Sequence, residues 1–394
     1  MENGTRVRWL NRTVLGIGIA SFFSDLGHET ATAILPVFLA SIGAAPFALG
    51  VIEGISDAIA SFSKLGAGWY SDRLRSRKPL AVSGYFLTGA AGASFAVASS
   101  WLHVLAGRTV GWFGRGIRGP VRDAIMADAI PPEASGRAFG FDRALDTLGA
   151  VLGPVAALWL VAVTSYRNIF LLTFIPGMLA ALSFAFIVRE KHRDPTPTKS
   201  FNLTLKQMPP GFRRFLLAVG IFGMGDFAHT LLILRATQIL SGAEYANPVQ
   251  LGVTLYIIHN IVYAVASYPA GALGDKIGKR RLLALGYGLS ALMCVGFVFV
   301  PSNFLFLVIL FMLGGMFIAI EDSLERALAA DMLPREIRGT GFGVLAAVNG
   351  VGDFASSVMV GFLWASFSPA GGFLYAGALS LVGMTLMLRL KTVK

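Results

Sequence analysis

Charge is scarce in this sequence. Asp, Glu, Lys and Arg together supply 14% of its 394 residues, against roughly 25% in an ordinary soluble domain. With 55% of the residues hydrophobic, that shortage excludes a water-soluble protein with an oversized core, because much of any fold's surface stays exposed. Cysteine is nearly absent as well. The single Cys294 lies inside an apolar run, which excludes a disulfide framework and a cysteine metal cluster. No G-x-x-x-x-G-K-S/T loop occurs, so nothing in the chain is built to be driven directly by ATP. No small-residue cleavage site follows the opening MENGTRVRWLNRT, so the apolar run after it is expected to stay as a first span and not to leave as a signal peptide.

What the sequence has in abundance is long apolar runs, and a helix crosses the hydrocarbon core with roughly 20 such residues. They recur near 14–40, 46–70, 80–98, 102–129, 138–162 and 168–188, and again near 214–240, 247–270, 282–300, 303–330, 340–366 and 370–390. The expected architecture is an all-α membrane protein of twelve transmembrane helices.

Alternate connections are rich in Lys and Arg: Arg6, Arg8 and Arg12; Arg73, Arg75, Arg77 and Lys78; Lys276, Lys279, Arg280 and Arg281; Arg335 and Arg338; Arg389, Lys391 and Lys394. The intervening connections hold only Arg167. By the positive-inside rule, both termini and the basic loops are expected on the cytoplasmic side of an inner membrane. The net charge of +11 is then a topology signal and an attraction to anionic membrane lipid, with no nucleic-acid partner implied. One long polar stretch, 189–213, separates the spans into residues 1–188 and 214–394. It is expected to be a cytoplasmic linker between two six-helix bundles.

The two halves repeat each other. Gly68, Asp72 and Arg73 follow span two; Gly271, Asp275 and Lys276 follow span eight, 203 residues later. Ala127-Asp128-Ala129-Ile130-Pro131 pairs with Ala330-Asp331-Met332-Leu333-Pro334, and Gly136 and Gly140 pair with Gly339 and Gly343, at the same displacement. Asp25 and His28 on span one are echoed by Asp226 and His229 on span seven. Duplicated halves with a site between them are the architecture of alternating-access carriers.

On these residues the chain resembles the major facilitator superfamily over essentially its whole length. That family's loop after span two reads G-x-x-x-D-R/K-x-G-R-R/K. Gly271, Asp275, Lys276, Gly278, Lys279 and Arg280 fit it, whereas the first copy has Arg75 and Ser76 where glycine and arginine are usual, before Arg77. Gly140, Gly149, Gly153 and Pro154 fit the G-x(8)-G-x(3)-G-P pattern that the superfamily's exporters carry on helix five. The resemblance implies the superfamily fold, two pseudo-symmetric six-helix bundles in one monomer, with Asp72 and Asp275 contacting neighbouring helices when the cytoplasmic side is shut. Of the two, Asp275 is expected to matter more, because its loop keeps the whole pattern.

Charges inside a bilayer are costly and face an interior cavity or each other. Spans three, six, nine and twelve hold no Asp, Glu, Lys, Arg or His apart from Arg389 at the end of the last. In the superfamily these are the outer, lipid-facing helices. Counting ~1.5 Å per residue puts Asp25, His28 and Glu29 at mid-membrane on one face of span one, with Asp226 and His229 at matching depth. Asp57, His259, Asp353 and the arginine stripe Arg108, Arg115 and Arg122 complete the cavity candidates. Arg118, Arg122 and Asp123 are expected to pair with loop acids as part of the latch, in a network joined by Asp142, Arg143 and Asp146.

The leading function is secondary transport without a cofactor: proton-coupled efflux of a small organic molecule. A carboxylate that exchanges a proton for a salt bridge would couple it, with Asp25 or Glu29 against Arg115 as the candidate switch. Two alternatives remain open. Asp25, His28, Asp226 and His229 could hold a divalent metal as cargo, and Arg108 with Arg115 could grip an organic anion taken up by the cell. An enzyme is not expected, since His28 near Glu29 is the only base-like pair.

Overall fold

The computed structural model describes residues 9–44, 46–191 and 205–390. Their regular elements are helical. The first half contains α1 (Arg12–Ser41), α2 (Pro46–Ser71), α3 (Lys78–Ser94), α4 (Trp101–Ala129), α5 (Ser135–Val161), α6 (Tyr166–Leu172) and α7 (Phe174–Ile187). The second contains α8 (Pro210–Gly223), α9 (His229–Gly242), α10 (Pro248–Ile277), α11 (Lys279–Val298), α12 (Phe304–Met332), α13 (Arg338–Ser366) and α14 (Pro369–Arg389). Helices α6 and α7 together make the sixth crossing, and α8 and α9 the seventh, which gives twelve.

Eight crossings among the described residues are apolar enough to be read as spans from composition alone. The other four are α1, α2, α4 and α8–α9, the last because its break leaves no helix long enough; interior polar residues come from these helices and from α5, α12 and α13. The break falls at Gly223–Ala228, in the middle of an apolar run. Freed backbone groups at that depth must find partners inside the protein. Here α13 supplies them: Ser356 donates its hydroxyl to the Asp226 carbonyl, and the Ala228 amide donates to Ser357 Oγ at 3.0 Å. Asp226 therefore sits in irregular backbone and His229 begins α9. The expected match with Asp25 and His28, which lie one turn apart in continuous α1, is a match of sequence and not of local structure.

Each half packs α1 on α5, α3 on α4 and α7, or their second-half counterparts, and the halves meet along α2–α13 and α5–α10. Glycine makes those two seams possible. A Cβ on Gly68 would lie 2.3 Å from the Gly339 carbonyl oxygen, and one on Gly271 would lie 2.0 Å from that of Gly136. The four residues form two equivalent contacts displaced by 203 positions, so the sequence repeat is a spatial pseudo-two-fold. Two pairs of equivalent residues touch across its axis. Phe139 meets Phe342 with ring centroids 6.0 Å apart, and Arg326 Nε lies 3.8 Å from Asp123 Oδ2. The pattern on α5 also gains a physical reason: Gly149 and Gly153 let α5 approach the Phe22–Thr30 stretch of α1, while Gly140 admits the Ser267 carbonyl of α10. Of the expected linker, residues 192–204 lie outside the described ones. Glu190, on its described edge, caps α3 by accepting from the Arg77 amide at 2.8 Å and from Ser76 Oγ at 2.6 Å.

Candidate functional site

Three groups of polar residues occupy the interior. The first is a clasp at the end of the bundle that carries the basic loops. Asp72, at the end of α2, accepts from the amides of Gly339 at 2.9 Å and Thr340 at 2.7 Å and from Thr340 Oγ1 at 2.8 Å. Asp275 does the same for the start of α5, accepting from the amides of Gly136 at 2.9 Å and Arg137 at 3.0 Å. A carboxylate on a helix N-terminus satisfies orphan donors and complements the helix dipole. Each half thus caps the other.

Fully buried Arg77 pairs with Asp72 and, at 2.9 Å, with Asp128, which also binds Arg338 of the other half at 2.5 Å. Lys279 reaches Asp331 at 2.7 Å and Asp275 at 3.4 Å. Other loop residues do different work. Arg73 stacks on Trp69 at 3.4 Å, Arg280 donates to the Leu390 carbonyl, Lys276 is exposed, and Gly278 turns the chain at φ +101°. Asp128 and Asp331 were visible in the repeat but had no partner assignable from sequence.

The departure at Arg75 and Ser76 therefore leaves the first clasp intact, because Arg77 holds Asp72 from below. The geometry gives no reason to expect the weaker effect at Asp72 that the loop pattern suggests. Asp72→Asn should slow turnover at least as much as Asp275→Asn. Each should lose about 10- to 100-fold, matching ~1.5–3 kcal/mol for hydrogen bonds to a charged group. Initial-rate flux at matched protein insertion checks it, and full flux in both variants would exclude a clasp role.

The second group lies on α1 and α4. Arg115 donates to Asp25 Oδ1 at 2.9 Å, and Arg118 Nη2 is 3.8 Å away. Glu29 pairs with His28 at 3.7 Å. The His28 ring sits 4.6 Å from Trp112, whose Nε1–H donates to exposed Asp57 at 2.7 Å. Arg108 stacks on the same indole at 3.8 Å and donates to Thr32 at 3.1 Å. Arg118 and Arg122 depart from expectation: their partners are intramembrane, not loop acids. Arg118 lies over Tyr85 at 4.2 Å. Arg122 binds Asp123 at 3.0 Å and Ser21 at 3.0 Å, with Asp142 at 3.6 Å. The network then crosses between halves through Arg143 to Asp322 at 3.6 Å and through Asp123 to Arg326.

The third group lines a cavity of about 450 Å³ between the halves. Lys64 of α2 and Asp123 of α4 face Asp226, His229, Glu321 and Asp353 across it. Phe342, one member of the axial ring pair, is also in its wall on the clasp side. Some lining acids are engaged: Asp322 with Tyr263 and Arg326, Glu325 with Tyr287 at 2.6 Å and Asn349 at 2.9 Å. His259 is not in this wall. It is buried, its Nδ1 3.2 Å from the Phe311 carbonyl oxygen and its ring 4.8 Å from that of His229.

Asp25 and His28, on α1, thus belong to the group that α1 forms with α4, and Asp226 and His229 to the cavity wall. No three His, Cys, Asp or Glu side chains group to hold a metal among the described residues. Lys64 was missed because a lysine near the end of a span reads as one that snorkels to the surface. Trp112 and Tyr263 carry no charge to mark them.

Two six-helix halves enclosing a polar cavity, shut at one end by reciprocal caps, define a secondary membrane transporter. The chain belongs to the Major Facilitator Superfamily, whose profile matches residues 17–241 and 215–394. It is 31% identical over 389 residues to an uncharacterized MFS-type transporter of Methanocaldococcus jannaschii, covering 98% of this chain and 97% of that one. Among solved structures it resembles the human organic anion transporter MFSD10, with TM-score 0.78 at 17% identity, covering 95% and 99% of the two chains. It also resembles the Escherichia coli fucose:proton symporter, with TM-score 0.77 at 14% identity, covering 96% and 98%.

Proposed function

We propose that this protein is a proton-coupled carrier that exports a small organic molecule across an inner membrane, working as a monomer with its termini and clasp on the cytoplasmic side. The observation that carries this reading is the set of unpaired carboxylates in the cavity. Asp226, Glu321 and Asp353 have no hydrogen-bond or ion-pair partner among the described residues. An ionised carboxylate at membrane depth is costly without a partner, so these half-buried or cavity-exposed groups take a proton or a positively charged cargo. Competition between the two for one site is antiport. With the clasp cytoplasmic, the shut end faces the cytoplasm, and the cavity loads protons from outside before the clasp opens. Arg108 and Arg115 are already engaged with Trp112, Thr32 and Asp25, which weighs against the organic-anion alternative.

The test is efflux from proteoliposomes under an imposed pH gradient with a panel of solutes. Flux that is independent of the gradient for every transported solute would sink the coupling. Orientation has its own check. Single cysteines at positions 44, 244 and 302 should label from outside the cell, and those at 76, 200 and 279 only after permeabilisation. Position 200 lies outside the described residues, but its external labelling would overturn a cytoplasmic linker.

A further inference from the structure

We infer that the cavity takes a compact zwitterion, a molecule with a carboxylate and an ammonium on neighbouring atoms, and that Lys64 is the residue that selects its carboxylate. The inference rests on the carrier reading above and names its cargo. Four cavity side chains have no hydrogen bond or ion pair among the described residues, and they are of both signs: Lys64 against Asp226, Glu321 and Asp353. Lys64 and Asp353 act on each other only through space. Their heights differ in an ordered way. A Cβ on Gly343 would lie 2.8 Å from the Lys64 carbonyl oxygen, so Lys64 is level with Gly343. Asp353 stands ten residues further along α13, about 15 Å higher at the backbone. Asp226 is level with Asp353, since its carbonyl is bound by Ser356.

The two helices run in opposite directions, and side chains lean toward a helix's N-terminus. Asp353, on α13 rising from the clasp, leans down. Lys64, on α2 descending to it, leans up. The two act on each other's charge without an ion pair between them, which leaves place for an α-amino acid bonded at both ends. A plain cation would leave Lys64 uncompensated and in repulsion. A plain anion would meet three carboxylates. Only a molecule with both charges satisfies both walls, and a site built on paired charges rejects analogues that leave one of them bare.

The experiment uses the full-length protein with phenylalanine and leucine, each as the free amino acid, the methyl ester (cation) and the N-acetyl derivative (anion). Ligand-induced rise in unfolding temperature reports binding without requiring transport. The free amino acids should half-saturate at least about tenfold lower than either derivative, the penalty for an unmatched polar group. Lys64→Gln should abolish the preference over the ester, Lys64→Arg should retain it, and Asp353→Asn should abolish the preference over the N-acetyl form. The proposal fails if a derivative stabilises the wild type as well as its parent, if no member of either set stabilises it, or if Lys64→Gln leaves the ranking unchanged. Gradient-driven flux of the esters alone would sink the zwitterion and leave the carrier standing. Absence of gradient-driven flux for every solute, with the ranking intact, would sink the coupling reading instead.

Discussion

Gly271→Val is expected to abolish net transport while leaving the protein folded and inserted. A Cβ at this position would lie 2.0 Å from the Gly136 carbonyl oxygen and 2.6 Å from its carbon. Both are backbone atoms at the start of α5, where no rotamer change can make room. The contact joins one half to the other, so each half keeps its own packing and only their approach is blocked. Asp275, four residues on, would then be held away from the Gly136 and Arg137 amides that it caps. A loss of at least about 100-fold in flux, or ~2.7 kcal/mol, is expected. A cysteine replacing Phe139, now buried between the halves, should become reactive from the clasp side in this background only. Unchanged flux would show that the halves need not meet this closely to turn over.

Asp25→Asn should be almost as damaging to gradient-driven flux, again by about 100-fold, while sparing exchange of solute at equal pH. Asp25 is the partner of Arg115 at 2.9 Å and lies near Arg118 at 3.8 Å. Removing one member of a fully buried pair costs roughly 3–5 kcal/mol because the other charge is left uncompensated; with the Arg115 side chain 30% exposed, the cost here is smaller. The variant alone therefore mixes a structural loss with a coupling loss. The double variant Asp25→Asn with Arg115→Gln separates them: it removes both charges and should regain thermal stability without regaining coupling. Recovery of gradient-driven flux in the double variant would make the pair purely structural. Glu29→Gln should do less, because the Glu29 side chain is 31% exposed and it is Asp25 that holds the hydrogen bond from Arg115.

Much of this was legible in the sequence. The spans lie within a few residues of their apolar runs, because hydropathy records what the bilayer demands of each segment. The seams were legible through the repeat, since equivalent glycines and aspartates meet equivalent backbone. What could not be read depended on the other half. The break in the seventh crossing sits in a run as apolar as its neighbours, and its freed backbone is bound by Ser356 and Ser357 from 130 and 129 residues away. Likewise nothing in the first loop showed that Arg77 would be buried beneath Asp72, so a missing glycine and arginine looked like a weakened clasp. Arg118 and Arg122 of α4 looked like loop partners because depth can be counted along a helix but the facing residue cannot. Arg118 faces Tyr85 and Asp25, and Arg122 faces Ser21 and Asp142.

The pairs on the pseudo-two-fold axis bear on how such a chain recognises itself. Residues on a two-fold meet their own counterparts, as in a symmetric dimer. Phe139 against Phe342 keeps the same side chain on both sides, which an aromatic contact tolerates. Asp123 against Arg326 does not, and the neighbouring position is exchanged too, with Arg122 in one half and Glu325 in the other. Two copies of the first half brought onto that axis would set aspartate against aspartate and arginine near arginine, away from water, where like charges repel strongly. Two copies of the second half would meet arginine with arginine and glutamate with glutamate. Opposite signs at equivalent positions thus turn a self-complementary surface into one that accepts only a sister half, so in a crowded membrane first halves do not pair with first halves, nor second halves with second.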